Sequence, residues 1–188
     1  MPMRVCWLAA ALNLATMLAA PTANACATFA EMDLHDISYA DVVVVGRIAN
    51  YEIVLDPVAR QRYRDILARN PKLRETFGEP KGFITDYARF DIVVGEVLRG
   101  KVPDRITVTW DNSTFGEPGG MGPGPFLIAL RDPNSPAPPL RGPSATVIPN
   151  PVPAALTVLQ APCAGPFIFE SSSKEAASVR QILAERAE

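Results

Sequence analysis

The chain has 188 residues, enough for one domain with appendages. It carries 18 Lys and Arg against 20 Asp and Glu, and this mildly acidic balance excludes the broad basic surface a nucleic-acid binder uses to displace phosphate counterions. Proline, at 19 residues, is about twice as frequent as usual and argues for strands and loops over long helices. The single histidine, His35, excludes a zinc site built on several histidines and leaves little for a histidine relay.

Met1–Arg4 is short and positive, Val5–Ala20 is apolar apart from Asn13 and Thr16, and Pro21–Ala25 ends in Ala23-Asn24-Ala25. This is the pattern of a secretory signal peptide over 1–25, cleaved before Cys26. Its apolar run is shorter than the roughly 20 residues that span a bilayer, and no later segment is longer. The mature chain, 26–188, is therefore expected to be a single exported domain, periplasmic or extracellular. A lipid anchor on Cys26 stays open beside plain cleavage, although Ala23 stands where lipoprotein signals favour a Leu-like residue.

Of the three cysteines, Cys6 falls in the leader, which leaves Cys26 and Cys163. A pair in an oxidising compartment reads as one disulfide. A redox or metal pair is the alternative, without C-x-x-C spacing to support it.

In chain order, Phe29, Met32, Leu34 and Ile37 suggest a turn or two of helix. The four valines of 42–45 mark a strand that continues through Tyr51, Ile53 and Leu55, with Gly46 at a bulge. Asp56-Pro57 reads as an N-cap with proline at the first helical position. A helix is expected over about 57–69, stopped by Asn70-Pro71, with loop to Lys81. The segment 56–81 is thus a helical insertion between strands, and its arginines form a solvated face. Strands follow at 83–98 and 105–110, paired as a hairpin, then at 125–130. Residues 132–153 hold eight prolines and read as an extended excursion. Short strands are expected at 155–159 and 167–169. Ser172 and Glu175 suggest a capping box for a last helix, about 173–186.

Together these residues resemble a known family. The order is Cys26, then Ala-Asp-Val-Val-Val-Val-Gly-Arg-Ile (40–48), Phe-Asp-Ile-Val-Val-Gly-Glu-Val-Leu-Arg-Gly (90–100), Ile-Thr-Val (106–108), Gly-Pro-Phe-Leu-Ile-Ala-Leu (124–130) and Cys163. It is similar to the bacterial relatives of the tissue inhibitor of metalloproteinases, the netrin-like group. The resemblance implies a mainly β, five-stranded OB-fold-like Greek-key barrel. The lack of a recognisable catalytic motif, with long loops at 111–124 and 132–153 on such a barrel, points to a binding module without catalytic activity, whose partner would be another protein or an envelope polymer. Inhibitors of that family chelate a protease zinc with the N-terminal amine and carbonyl. The corresponding edge here is Cys26, Ala27 and Thr28, with Thr28 where those inhibitors carry a second cysteine.

Other groupings carry less chemistry. Ser113, His35 and an aspartate could be arranged as a hydrolytic triad, but Asp-Asn-Ser-Thr-Phe-Gly is no G-x-S-x-G elbow. Asp33, Asp36 and Asp41 lack the spacing of a calcium loop, and Gly119-Gly120-Met121-Gly122 lacks the lysine of a phosphate loop. Asn112-Ser113-Thr114 is a formal glycosylation sequon. Trp110, Phe115 and Phe126 are expected in the core or on a binding face. No cofactor motif and no intrinsic metal site is expected, and a hydrolase with an unrecognised site is the remaining catalytic alternative.

Overall fold

A computed structural model describes residues 29–77, 82–83, 85–111, 118–140 and 152–186. A 3-10 turn (Leu34–Tyr39) leads into β1 (Val42–Val54). Helices α1 (Pro57–Arg69) and α2 (Pro71–Phe77) come next, followed by β2 (Tyr87–Arg99) and β3 (Arg105–Asp111). The chain ends with β4 (Phe126–Arg131), β5 (Thr157–Val158), β6 (Ile168–Glu170) and α3 (Lys174–Glu185). The strand order is β1-β2-β3-β5-β4, and β4 returns to pair with β1, so five strands close a barrel. All neighbours are antiparallel except β3 and β5, which run parallel. This is the OB-fold-like barrel expected from the sequence.

β5 and β6 are one interrupted strand. Thr157 and Val158 lie opposite Arg131 and Leu130, and Ile168, Phe169 and Glu170 opposite Ile128, Leu127 and Phe126. Ala129 sits between the two sets: its N–H donates to Phe167 O at 3.0 Å, and its carbonyl accepts from Leu159 N at 2.9 Å. The ladder along β4 is therefore continuous, and residues 160–166 loop out of it.

Side chains alternate in β1 and β4, yet both faces are buried along β4 and the start of β1. Val42, Val44, Phe90, Val108, Trp110, Ile128 and Leu130 fill the barrel interior. Val43, Leu127 and Ala129 point the other way, into a second core with Ile37, Phe167, Ala176 and Val179 from the 3-10 turn, the 160s loop and α3. Burial on both faces explains the unbroken apolar runs of 42–45 and 126–130. At the bulge between Val45 and Gly46, a Cβ on Gly46 would stand 2.6 Å from Val93 O and 2.7 Å from Ile92 Cγ2, so only glycine lets the strands approach there.

The insertion differs from expectation in its second half. Pro71–Phe77 is helical, not loop. Proline at a first helical position costs no hydrogen bond, so Asn70-Pro71 ends one helix and opens the next. Asp56 caps α1 as expected, accepting from Val58 N and Ala59 N at 2.8 and 3.0 Å. Those bonds hold its carboxyl below the usual range. The insertion is tied to the barrel by Asp86, just before β2. This buried carboxylate accepts from Asp56 N (2.7 Å), Phe83 N (2.9 Å) and Arg60 Nη2 (2.6 Å). The Arg60 guanidinium also lies 5.0 Å from the Phe83 ring centroid. At α3 the cap is Ser173, which accepts from Ala176 N; Ser172 precedes it, so Glu175 does not complete the expected box.

Candidate functional site

Two regions bring chemistry-bearing residues together. The first is the loop cut out of the β5–β6 strand. Gln160 bridges to Pro166 and donates from Nε2 to Ala164 O at 2.6 Å. Its Oε1 accepts from Trp110 Nε1 at 2.9 Å, which links the loop to the barrel interior. Cys163, at the centre of the loop, is 2 % exposed and has φ +67°. A non-glycine residue in that region carries backbone strain of about 1–3 kcal/mol and is held there by its surroundings.

The first described residues of the chain dock on this loop. Ala30 N donates to Cys163 O at 2.8 Å. Gly165 lies so close to Met32 Cε that a Cβ there would stand 3.0 Å away. Three residues separate Ala30 from Cys26. The sequence-derived edge of Cys26, Ala27 and Thr28 itself lies outside the described residues.

The second region is the C-terminal end of β3. Tyr87, where the insertion returns to the barrel, pairs with Asp111. Thr157, where the proline-rich excursion returns, pairs with Thr109 across the parallel seam and with Arg131 across the antiparallel one. Three connections (β1–β2, β3–β4 and β4–β5) thus meet around Asp111. Arg131 Nη1 donates to the carbonyls of Asp132, Pro133 and Ser135, the last at 2.6 Å, and so anchors the excursion. Asp41 holds the same turn by accepting from Asp132 N and Ser135 Oγ at 2.7 and 2.9 Å. Thr157 Oγ1 donates to Thr109 O at 3.2 Å.

Within this cluster Thr109 Oγ1 and Asp111 Oδ1 are buried without a hydrogen-bond partner. Burial pushes the Asp111 carboxyl up to about 6, against the opposing pull of the Arg131 charge and a Thr157 hydrogen bond. The rim therefore holds a carboxyl group that changes charge near pH 6. On the outer face of β2 and β3, Asp91 behaves oppositely. It accepts from Thr107 Oγ1 (2.6 Å) and Asn50 Nδ2 (2.7 Å), with Arg105 at 3.4 Å, and is held below the usual carboxylate range. Asn50 reaches it from a φ of +53°, the left-handed conformation that asparagine tolerates best among residues with a Cβ.

The remaining sequence candidates fall apart in space or serve the fold. His35 is exposed, and its Nδ1 lies 3.1 Å from Asp33 Oδ1. Asp33 caps the 3-10 turn, Asp36 is buried, and Asp41 holds the 132–135 turn. Among the described residues no group of three or more His, Cys, Asp or Glu side chains is arranged to hold a metal ion. Asn112, Ser113, Thr114 and Phe115 lie outside the described residues. Trp110 is core, and Phe126 packs against that core from the edge. Gly119, Gly120 and Gly122 face open space, in a connection that covers the second half of β1 through Ile48 N to Pro123 O (2.9 Å) and Tyr51 Oη to Pro118 O (2.6 Å). Asp86, Asp91 and Asp111 were not singled out by the sequence, because a lone aspartate carries no signal until strand pairing sets its surroundings. No helix among the described residues is long and apolar enough to cross a membrane.

No family model, curated protein or solved structure matches the chain.

Proposed function

We propose that the chain is an exported, non-enzymatic binding module of the cell envelope, related to the netrin-like inhibitors. The observation that carries this reading is the convergence of three connections around Asp111 on a barrel whose interior is filled by its own side chains. OB barrels bind through strand faces and the loops that flank them. A partner here would meet the proline-rich excursion and the rim, and would be a protein or an envelope polymer. A photo-crosslinker at Leu140, which is 62 % exposed on that excursion, should capture such a partner in envelope fractions. The same group at Lys174 should not. Equal labelling from both positions would contradict the reading.

The docking of Ala30 on Cys163 favours a second reading, in which Cys26 pairs with Cys163 and the N-terminal edge enters a zinc protease. A disulfide would hold the amine rigidly, and preorganisation lowers the cost of binding. Inhibition of zinc proteases at micromolar concentration, abolished by one extra residue before Cys26, is the expected result. Inactivity across a protease panel would remove this alternative and leave the first reading standing.

A further inference from the structure

The insertion concentrates exposed apolar and basic side chains. Of eight large apolar side chains exposed among the described residues, four fall between 55 and 73: Leu55, Val58, Ile66 and Leu73. Charge is segregated the same way. Residues 56–81 carry seven Lys and Arg against four Asp and Glu, whereas the rest of the chain carries eleven against sixteen. In α1, Val58, Arg62, Ile66 and Arg69 stand at i, i+4, i+8 and i+11, so they share one face, at whose edge lies the exposed Asp65, bonded by Gln61 Nε2 at 2.9 Å. That face is opposite Leu67, which is buried, and Arg60, which is engaged with Asp86. Both arginines on the face are exposed.

We infer that this face of α1 docks on an anionic phospholipid surface, with the helix lying in the plane of the interface. Apolar and cationic side chains alternate along the same line, which suits an occupant that offers apolar and anionic groups together along the whole helix. A bilayer interface does so: Val58 and Ile66 enter the headgroup–acyl boundary while Arg62 and Arg69 reach lipid phosphates. A duplex nucleic acid offers the charge without the apolar layer. The inference goes beyond the proposed binding role of the loops and does not depend on it, because α1 and the rim around Asp111 can be altered separately.

The test is co-sedimentation of the exported protein with vesicles of phosphatidylcholine alone, or of two parts phosphatidylcholine and one part phosphatidylglycerol. Retention is expected on the anionic vesicles only, and weaker as salt is raised through physiological strength. The double variants Val58→Asp/Ile66→Asp and Arg62→Glu/Arg69→Glu change only exposed side chains. Each should lower retention by about tenfold or more while leaving the circular-dichroism spectrum unchanged. Retention equal to wild type in both variants would overturn the inference. So would loss in the arginine variant alone, which would mark α1 as a site for an acidic macromolecule. Binding to phosphatidylcholine that neither variant alters would also overturn it, and would indicate a lipid anchor at Cys26.

Discussion

Ala30 donates its backbone N–H to the carbonyl of Cys163 at 2.8 Å, across 133 residues of chain. That bond seats the start of the folded domain on the loop that interrupts the last barrel strand. It also holds Ala30, four positions after Cys26 in the sequence, against Cys163. If Cys26 and Cys163 are joined, Cys163→Ser should lower stability by about 3–5 kcal/mol, since the closed loop exceeds 100 residues. Chemical denaturation with and without reductant checks this. Reductant should destabilise wild type and leave the variant unchanged.

Asp86 should matter more than any exposed ion pair. Asp86→Ala removes the acceptor of two backbone N–H groups and leaves the largely buried Arg60 without its partner. A loss of about 3 kcal/mol is expected. Cleavage by trypsin at Arg62 or Arg64 should accelerate as the insertion loosens. Glu96→Ala, which breaks the exposed pair with Arg180, should cost less than about 1 kcal/mol.

Asp111 should make stability depend on pH in an unusual direction. Its folded pKa of about 6 lies above the ordinary 3.8, so the folded state holds the proton more tightly than the unfolded state. Its contribution is therefore most favourable below pH 4 and is lost as pH rises to about 6. Asp111→Asn should remove this dependence and raise stability at pH 7 by on the order of 2 kcal/mol. Thermal melts of both proteins between pH 4 and 7 measure it. Parallel curves would contradict the assignment.

Gly46→Ala should destabilise the barrel by about 1–3 kcal/mol, because its Cβ meets a backbone carbonyl and a core methyl that cannot both withdraw. Gly119→Ala, in open space, should be nearly neutral. Paired denaturation curves separate the two.

The barrel strands were legible because β-branched runs and a hairpin turn are local signals. The valines of 42–45 and the run at 126–130 stand out in the sequence for the reason found in the structure, burial on both faces. What the sequence concealed depends on distant partners. β5 and β6 are two and three residues long, and only their shared register on Ala129 makes them one strand. Asn70-Pro71 carries a stop and a start signal at once, so α2 was hidden behind the end of α1. Asp111 looks like the first residue of a polar loop. Its character arises from burial where strand pairing brings Tyr87, Thr157 and Arg131 around it from three other parts of the chain, with Arg131 and Thr157 pulling against the burial.

The intact mass of the protein expressed from its full sequence, taken before and after reduction, tests the central claim most directly. The expected mass begins at an unmodified Cys26 and lies two hydrogens below the reduced value. Two thiols open to alkylation without reductant, or a chain that retains residues 1–25, would contradict it.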